Sequence, residues 1–97
     1  MDNSKRNKEF ERFTKRQLKI MQSKAKDYAT EDVLNNFKVA GNVAGITPEQ
    51  QCLSQIAQKV ARLGVLLKGQ KPNYESIEDS IIDLANYAFN LHCLRNE

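Results

Sequence analysis

Residues 47–69 of the chain read TPEQQCLSQIAQKVARLGVLLKG and contain the clearest helix boundary in the sequence. Thr47 is a favourable N-cap, Pro48 suits the first helical position, and Gln50 completes a capping box. Apolar residues then recur at helical spacing until Gly69, which is typical of a helix end. These apolar residues are Leu53, Ile56, Ala57, Val60, Leu63 and Leu67. The stretch therefore predicts a helix that begins at the threonine cap and ends at the glycine.

A further helix is predicted after the turn formed by Lys71, Pro72 and Asn73. Asn73 can cap this helix, and apolar residues at helical spacing carry it to near Arg95. They are Ile77, Ile81, Leu84, Ala85, Ala88 and Leu91. Because the connecting turn is short, we expect the two helices to pack as antiparallel neighbours.

Two more helices are predicted in the first half of the chain. The first begins near Ser4, with apolar residues on one side and most of the lysines and arginines on the other. Its apolar side comprises Phe10, Phe13, Leu18, Ile20, Met21, Ala25 and Tyr28. The second can be capped by Thr30 or Asp32, and Gly45 ends it. Its apolar residues are Val33, Leu34, Phe37, Ala40 and Ala44.

These four helices define the expected fold class. No stretch alternates between apolar and polar residues for long enough to form a strand, so we predict an all-α, four-helix bundle-like domain. A chain of 97 residues supports one hydrophobic core, so residues 1–97 are expected to form a single domain. Its basic amphipathic helix occupies residues 1–28, and residues 30–97 form the remainder. Four helices in a chain of this length cannot cover all of the apolar surface on the first and fourth helices. We therefore expect a homo-oligomer with the first helix in the contact.

The composition argues against several classes of protein. No apolar run approaches the roughly 18–20 residues that cross a bilayer, and no signal-peptide hydrophobic region is present. We therefore expect a cytoplasmic location and no membrane partner. Cys52 and Cys93 lack disulfide or metal-ligand spacing, which predicts two reduced thiols in the core. With His92 as the only histidine, zinc sites and serine or cysteine triads are not expected.

Charge is distributed unevenly along the chain. Residues 1–30 carry nine Lys/Arg and four Asp/Glu, a net +5, while the rest carries six and eight, a net −2. This division fits either a basic arm for polyanions or electrostatic pairing between helices. The basic side of the first helix comprises Lys5, Lys8, Arg12, Lys15, Lys19 and Lys26. It has no aromatic residues on which bases could stack, which favours a solvated face over single-strand nucleic-acid binding.

Polar side chains follow one face of each of the last two helices. On the fourth helix they are Glu75, Asp79, Asp83, Asn86 and Asn90. On the third they are Gln51, Gln55, Gln58, Lys59 and Arg62. One interpretation is a set of salt bridges that fixes the register of the hairpin. The other is a cleft in which acids hold Mg²⁺, or bases and tyrosines grip a phosphate and a base. Both can hold together, because an acid that orients a base also supports its contact with a ligand.

A series of short motifs runs through the chain in a recognisable order. It comprises Lys24-Ala25-Lys26-Asp27-Tyr28, Asn36-Phe37, the K-x-x-R element from Lys59 to Arg62, Glu75-Ser76, Asp79, and Asp83-Leu84-Ala85-Asn86-Tyr87. Over about residues 20–94, this series resembles the small nucleotide modification associated domain found in bacteriophage proteins. The resemblance implies an all-α domain that acts on or beside nucleotides in the cytoplasm of a phage-infected bacterium.

A second resemblance concerns the MazG-like all-α nucleotide pyrophosphohydrolases. That family holds Mg²⁺ with an E-E-x-x-E element on one helix and E-x-x-D on the next. This chain offers Glu75, Asp79 and Asp83 on the second of those helices, but it has Lys59 and Arg62 where the first set of acids would stand. Replacing acids with bases opposes a two-metal site, so binding is favoured over hydrolysis.

The resemblance to the phage domain, taken together with these residues, implies a phage nucleotide-binding protein, for which no catalytic residues, metal or cofactor are expected. Its ligand would be a nucleotide or a cyclic-nucleotide immune signal, which the protein would sequester. The expected ligand-binding residues are Lys26, Tyr28, Lys59, Arg62, Tyr74, Ser76, Asn86 and Tyr87. Glu75, Asp79 and Asp83 are expected as supporting acids, with Asp79 and Asp83 orienting the two bases of the K-x-x-R element. One alternative is a Mg²⁺-dependent hydrolase or nucleotide-modification enzyme that uses these acids, and another is a nucleic-acid-binding module built on the first helix.

Overall fold

The computed structural model describes residues 1–26, 32–69 and 76–97. Within these ranges the chain forms an all-α, bundle-like domain of four helices and no strand. The helices are α1 (Asn3–Ala25), α2 (Asn35–Ala44), α3 (Pro48–Leu67) and α4 (Ile77–Arg95). The predicted fold class is confirmed. None of the helices in the described ranges combines the length and apolar character needed to cross a membrane.

The ends of α3 follow local sequence chemistry. The backbone N–H of Gln50 donates to the Thr47 hydroxyl at 3.0 Å, and the N–H of Thr47 donates to the Gln50 side chain at 2.9 Å. This is the predicted capping box. At the other end Gly69 has a φ of 102°, a left-handed conformation that glycine adopts without steric cost. Both predicted ends of this helix are confirmed.

The start of α2 and of α4 differs from the expected capping. Asp32 accepts a hydrogen bond from the N–H of Leu34 at 3.0 Å, so it closes the turn before α2 and does not cap the helix. Ser76 is the N-cap of α4, and its hydroxyl accepts from the N–H of Asp79 at 3.0 Å. The other expected caps, Thr30 and Asn73, lie outside the described residues.

The hydrophobic core lies where α2, α3 and α4 meet. One cluster of its buried members comprises Leu34, Phe37, Cys52 and Leu94. Leu63, Leu66 and Ile82 are buried as well. Phe37 packs edge-to-face on Tyr87, with ring centroids 5.9 Å apart. Cys52 is completely buried, and its thiol donates to the backbone oxygen of Tyr87 at 3.4 Å. Both cysteines are free, as expected, with Cys93 only half-buried. These contacts hold the Tyr87 ring in a fixed position.

The buried face of α3 matches the predicted apolar face only in part, because Ile56 and Leu63 lie inward as expected but other predicted residues do not. Leu53, Val60 and Leu67 are each more than half exposed. The residues on the inward side are instead spaced alternately four and three positions apart. Each is fully or partly buried, and they are Cys52, Ile56, Lys59, Leu63 and Leu66. Because α3 carries apolar residues on two adjacent arcs, its packing partners decide which arc is buried. A lysine consequently lies on the inward face.

The buried face of α4 is also unexpectedly polar. Ser80, Asp83 and Asn86 are buried, whereas Ile81 and Ala88 are exposed. Part of the polar stripe noted in the sequence therefore faces the protein interior. The expected antiparallel arrangement of α3 and α4 is confirmed, because successive contacts run in opposite directions along the two helices.

Among the helices of the described ranges, α1 packs against α4 alone. None of its residues is fully buried, and Phe10 and Leu18 are 65% and 55% exposed. Two of its bases reach acids of α4: Arg16 pairs with Asp79, and Lys24 with Asp83. The charge asymmetry of the sequence thus corresponds, at these positions, to pairing between helices.

Candidate functional site

The candidate site is centred on the buried carboxylate of Asp83, in the second turn of α4. Asp83 is only 7% exposed, and both of its oxygens are engaged. The ammonium group of Lys24, from α1, donates to Oδ1 at 2.6 Å. The ammonium group of Lys59, from α3, lies 2.5 Å from Oδ2. One carboxylate therefore joins three helices, and the expected pairing of Asp83 with Lys59 is confirmed.

The electrostatics of Asp83 follow from these contacts. Burial acts to raise the pKa of the Asp83 carboxyl, but the hydrogen bonds from Lys24 and Lys59 outweigh it. The pKa of Asp83 consequently lies below its ordinary value. At neutral pH the group is an ionised carboxylate between two ammonium groups, and this arrangement carries a net positive charge.

Lys59 is held by an aromatic ring as well as by an acid. Its ammonium nitrogen lies 4.5 Å from the centroid of the Tyr87 ring, within the range of a cation–π contact. About a quarter of the Lys59 side chain remains exposed. Since Asp83 and Tyr87 fix the ammonium group from two sides, it is positioned before any ligand arrives. Tyr87 therefore acts on the site through Lys59, because that ammonium group covers a face of its ring.

Lys59 borders a pocket of about 360 Å³ that is formed by α3 and by Tyr87 of α4. The pocket is lined by Gln55, Gln58, Lys59, Arg62 and Tyr87. Arg62 is exposed and has no ion-pair partner within the part of the chain that the structure describes. We name this the basic pocket. Its described lining combines an ammonium group, a guanidinium fork and two amides and includes no carboxylate, which is a donor set suited to an oxyanion.

Asp79 has a different partner from the one expected. The sequence placed it opposite the K-x-x-R element of α3, but its carboxylate pairs with Arg16 of α1. Asp79 lies one turn before Asp83, at the position where α1 crosses α4. Arg62 is therefore left without an orienting acid among the described residues. This corrects the prediction that Asp79 and Asp83 together position both bases.

A second cavity, of about 190 Å³, lies between α1, the start of α2, and α4. Its lining is mainly apolar, and we name it the apolar cavity. Asn86, which is 5% exposed, contributes a side-chain amide to this lining. Neither Oδ1 nor Nδ2 of Asn86 has a hydrogen-bond partner within the described ranges. An unpaired buried polar group costs about 1–3 kcal/mol, so this amide is a costly feature of the fold.

The remaining predicted site residues are placed as follows. Lys26 is the exposed C-cap of α1 and lines neither the basic pocket nor the apolar cavity. Ser76 serves as the N-cap of α4. Tyr28, Tyr74 and Glu75 lie outside the described residues. The structure thus brings Lys59, Arg62 and Tyr87 together and places Asn86 in a separate cavity.

Three residues around Asp83 and in the basic pocket are not among the predicted site residues. Lys24 is one of the bases of residues 1–30 and part of the motifs behind the resemblance, but it is not a predicted site residue; in the structure it is the second cation on Asp83. Gln55 and Gln58 belong to the polar side of α3, but they are not among the expected ligand-binding residues. Their position one turn before Lys59 and Arg62 is the signal that could have identified them, since residues three or four apart share a helix face.

Comparison of the chain with protein-family models, with curated proteins and with solved structures finds no match in any of the three. Function is therefore inferred from the side chains around Asp83 and from the two cavities.

Proposed function

We propose that the protein is a nucleotide-binding protein that holds a phosphate group of its ligand on Lys59 and Arg62. The observation that carries this proposal is the fixed ammonium group of Lys59 at the edge of the basic pocket. It is positioned by Asp83 and Tyr87, and it lies in the same pocket as the guanidinium of Arg62, which has no ion-pair partner among the described residues. Preorganised donors of this kind bind an anion without a further ordering cost.

The local charge supports a phosphate ligand. Asp83 offsets one of the two ammonium groups that contact it, which leaves one positive charge, and Arg62 supplies a second. An arginine presents a planar fork that matches two phosphate oxygens, while a lysine acts as a point charge. The amides of Gln55 and Gln58 add neutral donors at the same rim. The proposed ligand is therefore a phosphate monoester or diester.

The ion pairs of the acids support binding rather than metal-dependent hydrolysis. A Mg²⁺ site needs carboxylate oxygens that are available to the metal. Both oxygens of Asp83 contact lysines, and Asp79 pairs with Arg16. The described residues also contain no group of three His, Cys, Asp or Glu side chains that could hold a metal ion. The cations around these acids already supply the counter-charge that a metal would provide.

The nucleotide character and the biological setting of the proposal come from the resemblance to the phage domain. In that setting, the protein would capture a nucleotide or a cyclic-nucleotide immune signal and would withhold it from the host. Sequestration requires tight binding without turnover. The proposal accordingly gives Asp79 and Asp83 no catalytic role.

The experiment that tests the proposal measures binding and turnover on the same samples. Calorimetric titration with AMP, ATP, cyclic AMP and a cyclic dinucleotide is followed by denaturation and mass spectrometry of the released ligand. We expect at least one ligand to bind, to be recovered intact, and to bind equally well in EDTA. Hydrolysed ligand, or binding that requires Mg²⁺, would support the hydrolase instead. Failure of all four ligands to bind would refute the proposed function.

A further inference from the structure

The apolar cavity has walls that suit a flat, uncharged group. Six of its lining residues are apolar or only weakly polar: Met21, Ala25, Val33, Leu34, Phe89 and Cys93. They come from α1, α4 and the segment that leads into α2. The charged contact between Lys24 and Asp83 borders the same cavity, so one of its sides is polar.

Asn86 is the polar group that this lining does not explain. Its amide is buried, and both the oxygen and the nitrogen lack partners in the ranges that the structure describes. The nearby Asp83 carboxylate, which accepts from Lys24 and pairs with Lys59, is not a partner of this amide. A leucine has the same branching pattern as asparagine and would fill this position without an unpaired amide. A buried polar group without partners in an apolar lining is the kind of local inconsistency that is expected at a functional site.

The size of the cavity limits what can enter it. A cavity of about 150 Å³ lined by apolar side chains accommodates benzene. The cavity beside Asn86, at about 190 Å³, therefore holds one small ring system. Sites for complete drug-sized ligands are larger, at about 300–1,000 Å³. A whole nucleotide does not fit, but a single nucleobase does.

The Asn86 amide determines which hydrogen-bonding groups the bound ring must carry on its edge. The amide presents a donor and an acceptor side by side, so its complement is a ring edge with an adjacent acceptor and donor. Asparagine makes this bidentate contact with adenine. From the orphaned amide and its apolar walls, we propose that the cavity is a recognition site for a nucleobase-type heterocycle and that Asn86 reads its hydrogen-bonding edge.

This inference does not depend on the phosphate-binding proposal. A free base carries no phosphate, and the basic pocket lies on the other side of Tyr87. The two proposals can therefore fail separately. If base binding is seen without nucleotide phosphate binding, Asn86 retains its role while Lys59 and Arg62 lose theirs.

The test is an NMR titration of the full chain with free adenine, cytosine and uracil, and with benzene as a ring that has no polar edge. We expect at least one base to shift the side-chain amide resonances of Asn86. In Asn86→Leu we expect binding of that base to weaken at least tenfold, while benzene binding is retained. Asn42→Leu makes the same change on the exposed side of α2 and should leave base binding unaltered.

Thermal unfolding separates a ligand-binding role from a structural one. If the amide of Asn86 is unpaired until a ligand binds, Asn86→Leu should unfold at a higher temperature than the original chain. A lower unfolding temperature would show that the amide is satisfied within the fold and would overturn the proposal. Unmoved Asn86 resonances at millimolar base, which need no variant to measure, would overturn it equally.

Discussion

Lys59 of α3 and Asp83 of α4 form an ion pair across the helical hairpin, with 2.5 Å between Nζ and Oδ2. Both residues lie on the inward faces of their helices, although both are charged. The pair is compensated by Lys24 from α1 and by the ring of Tyr87. The same contacts that stabilise the hairpin therefore fix the ammonium group that faces the basic pocket.

Replacing Asp83 with asparagine should lower both stability and affinity. The change removes the carboxylate from between two ammonium groups, and breaking a buried ion pair costs about 3–5 kcal/mol. Because Lys24 and Lys59 are partly exposed to solvent, we expect a smaller loss of about 1–3 kcal/mol in the free energy of unfolding. Urea denaturation measures this loss, and titration of the folded variant measures the affinity.

Asp79→Asn is the matched control for that experiment. It makes the same substitution one turn earlier, in a pair with Arg16 whose two side chains are both more than two-fifths exposed. Exposed pairs contribute about 0–1 kcal/mol, so this variant should lose little stability and no affinity. Equal losses in the two variants would show that Asp83 has no special role.

The free energy of unfolding should depend on pH through the ionisation of Asp83. Its pKa is depressed in the folded protein, so its contribution is fully present above the ordinary aspartate value of about 3.9. The contribution of Asp83 to stability is lost as the pH falls through its lower pKa in the folded state. We therefore expect the stability difference between the original chain and Asp83→Asn to shrink below about pH 4. Urea unfolding from pH 7 to pH 2.5 measures it, and a difference that widened with acid would contradict this assignment.

The exposed apolar residues of α1 predict self-association. Phe10 and Leu18 are more than half exposed, and α1 has no fully buried residue of its own. We expect a homo-oligomer at about 50 µM, and we expect Phe10→Ser to shift it toward the monomer because the change removes apolar contact area. Light scattering tests both statements. A particle of 11.1 kDa for the unmodified chain would refute the prediction.

The parts of the fold that could be predicted are those that local chemistry dictates. The capping box of Thr47 and Gln50 and the left-handed glycines Gly45 and Gly69 define helix ends through contacts within a few residues. The buried faces could not be predicted in the same way. Since α3 has apolar residues on more than one arc, only its packing against α2 and α4 determines that Leu53 is exposed and Cys52 is buried.

In the candidate site, the contact within the α3–α4 hairpin could be predicted from the sequence, whereas the contact made by α1 could not. Lys59 and Asp83 could be paired from the sequence because a short connection makes α3 and α4 antiparallel neighbours. Lys24 lies 59 residues from Asp83, and its contact depends on how α1 packs on α4. The lack of a hydrogen-bond partner for Asn86 in the described part of the chain could not be predicted either, because a sequence shows that an asparagine is present but not whether its hydrogen bonds are made.

The most direct test of the phosphate-binding proposal compares Arg62→Ala with Lys68→Ala by calorimetric titration with a nucleotide that binds the original chain. Both variants remove one exposed cation from the same end of α3, but only Arg62 lines the basic pocket. Loss of a charge-assisted fork should weaken Arg62→Ala by about 1.5–3 kcal/mol, or roughly ten- to a hundredfold in dissociation constant, with little change in Lys68→Ala. An unchanged dissociation constant in folded Arg62→Ala would contradict the proposal.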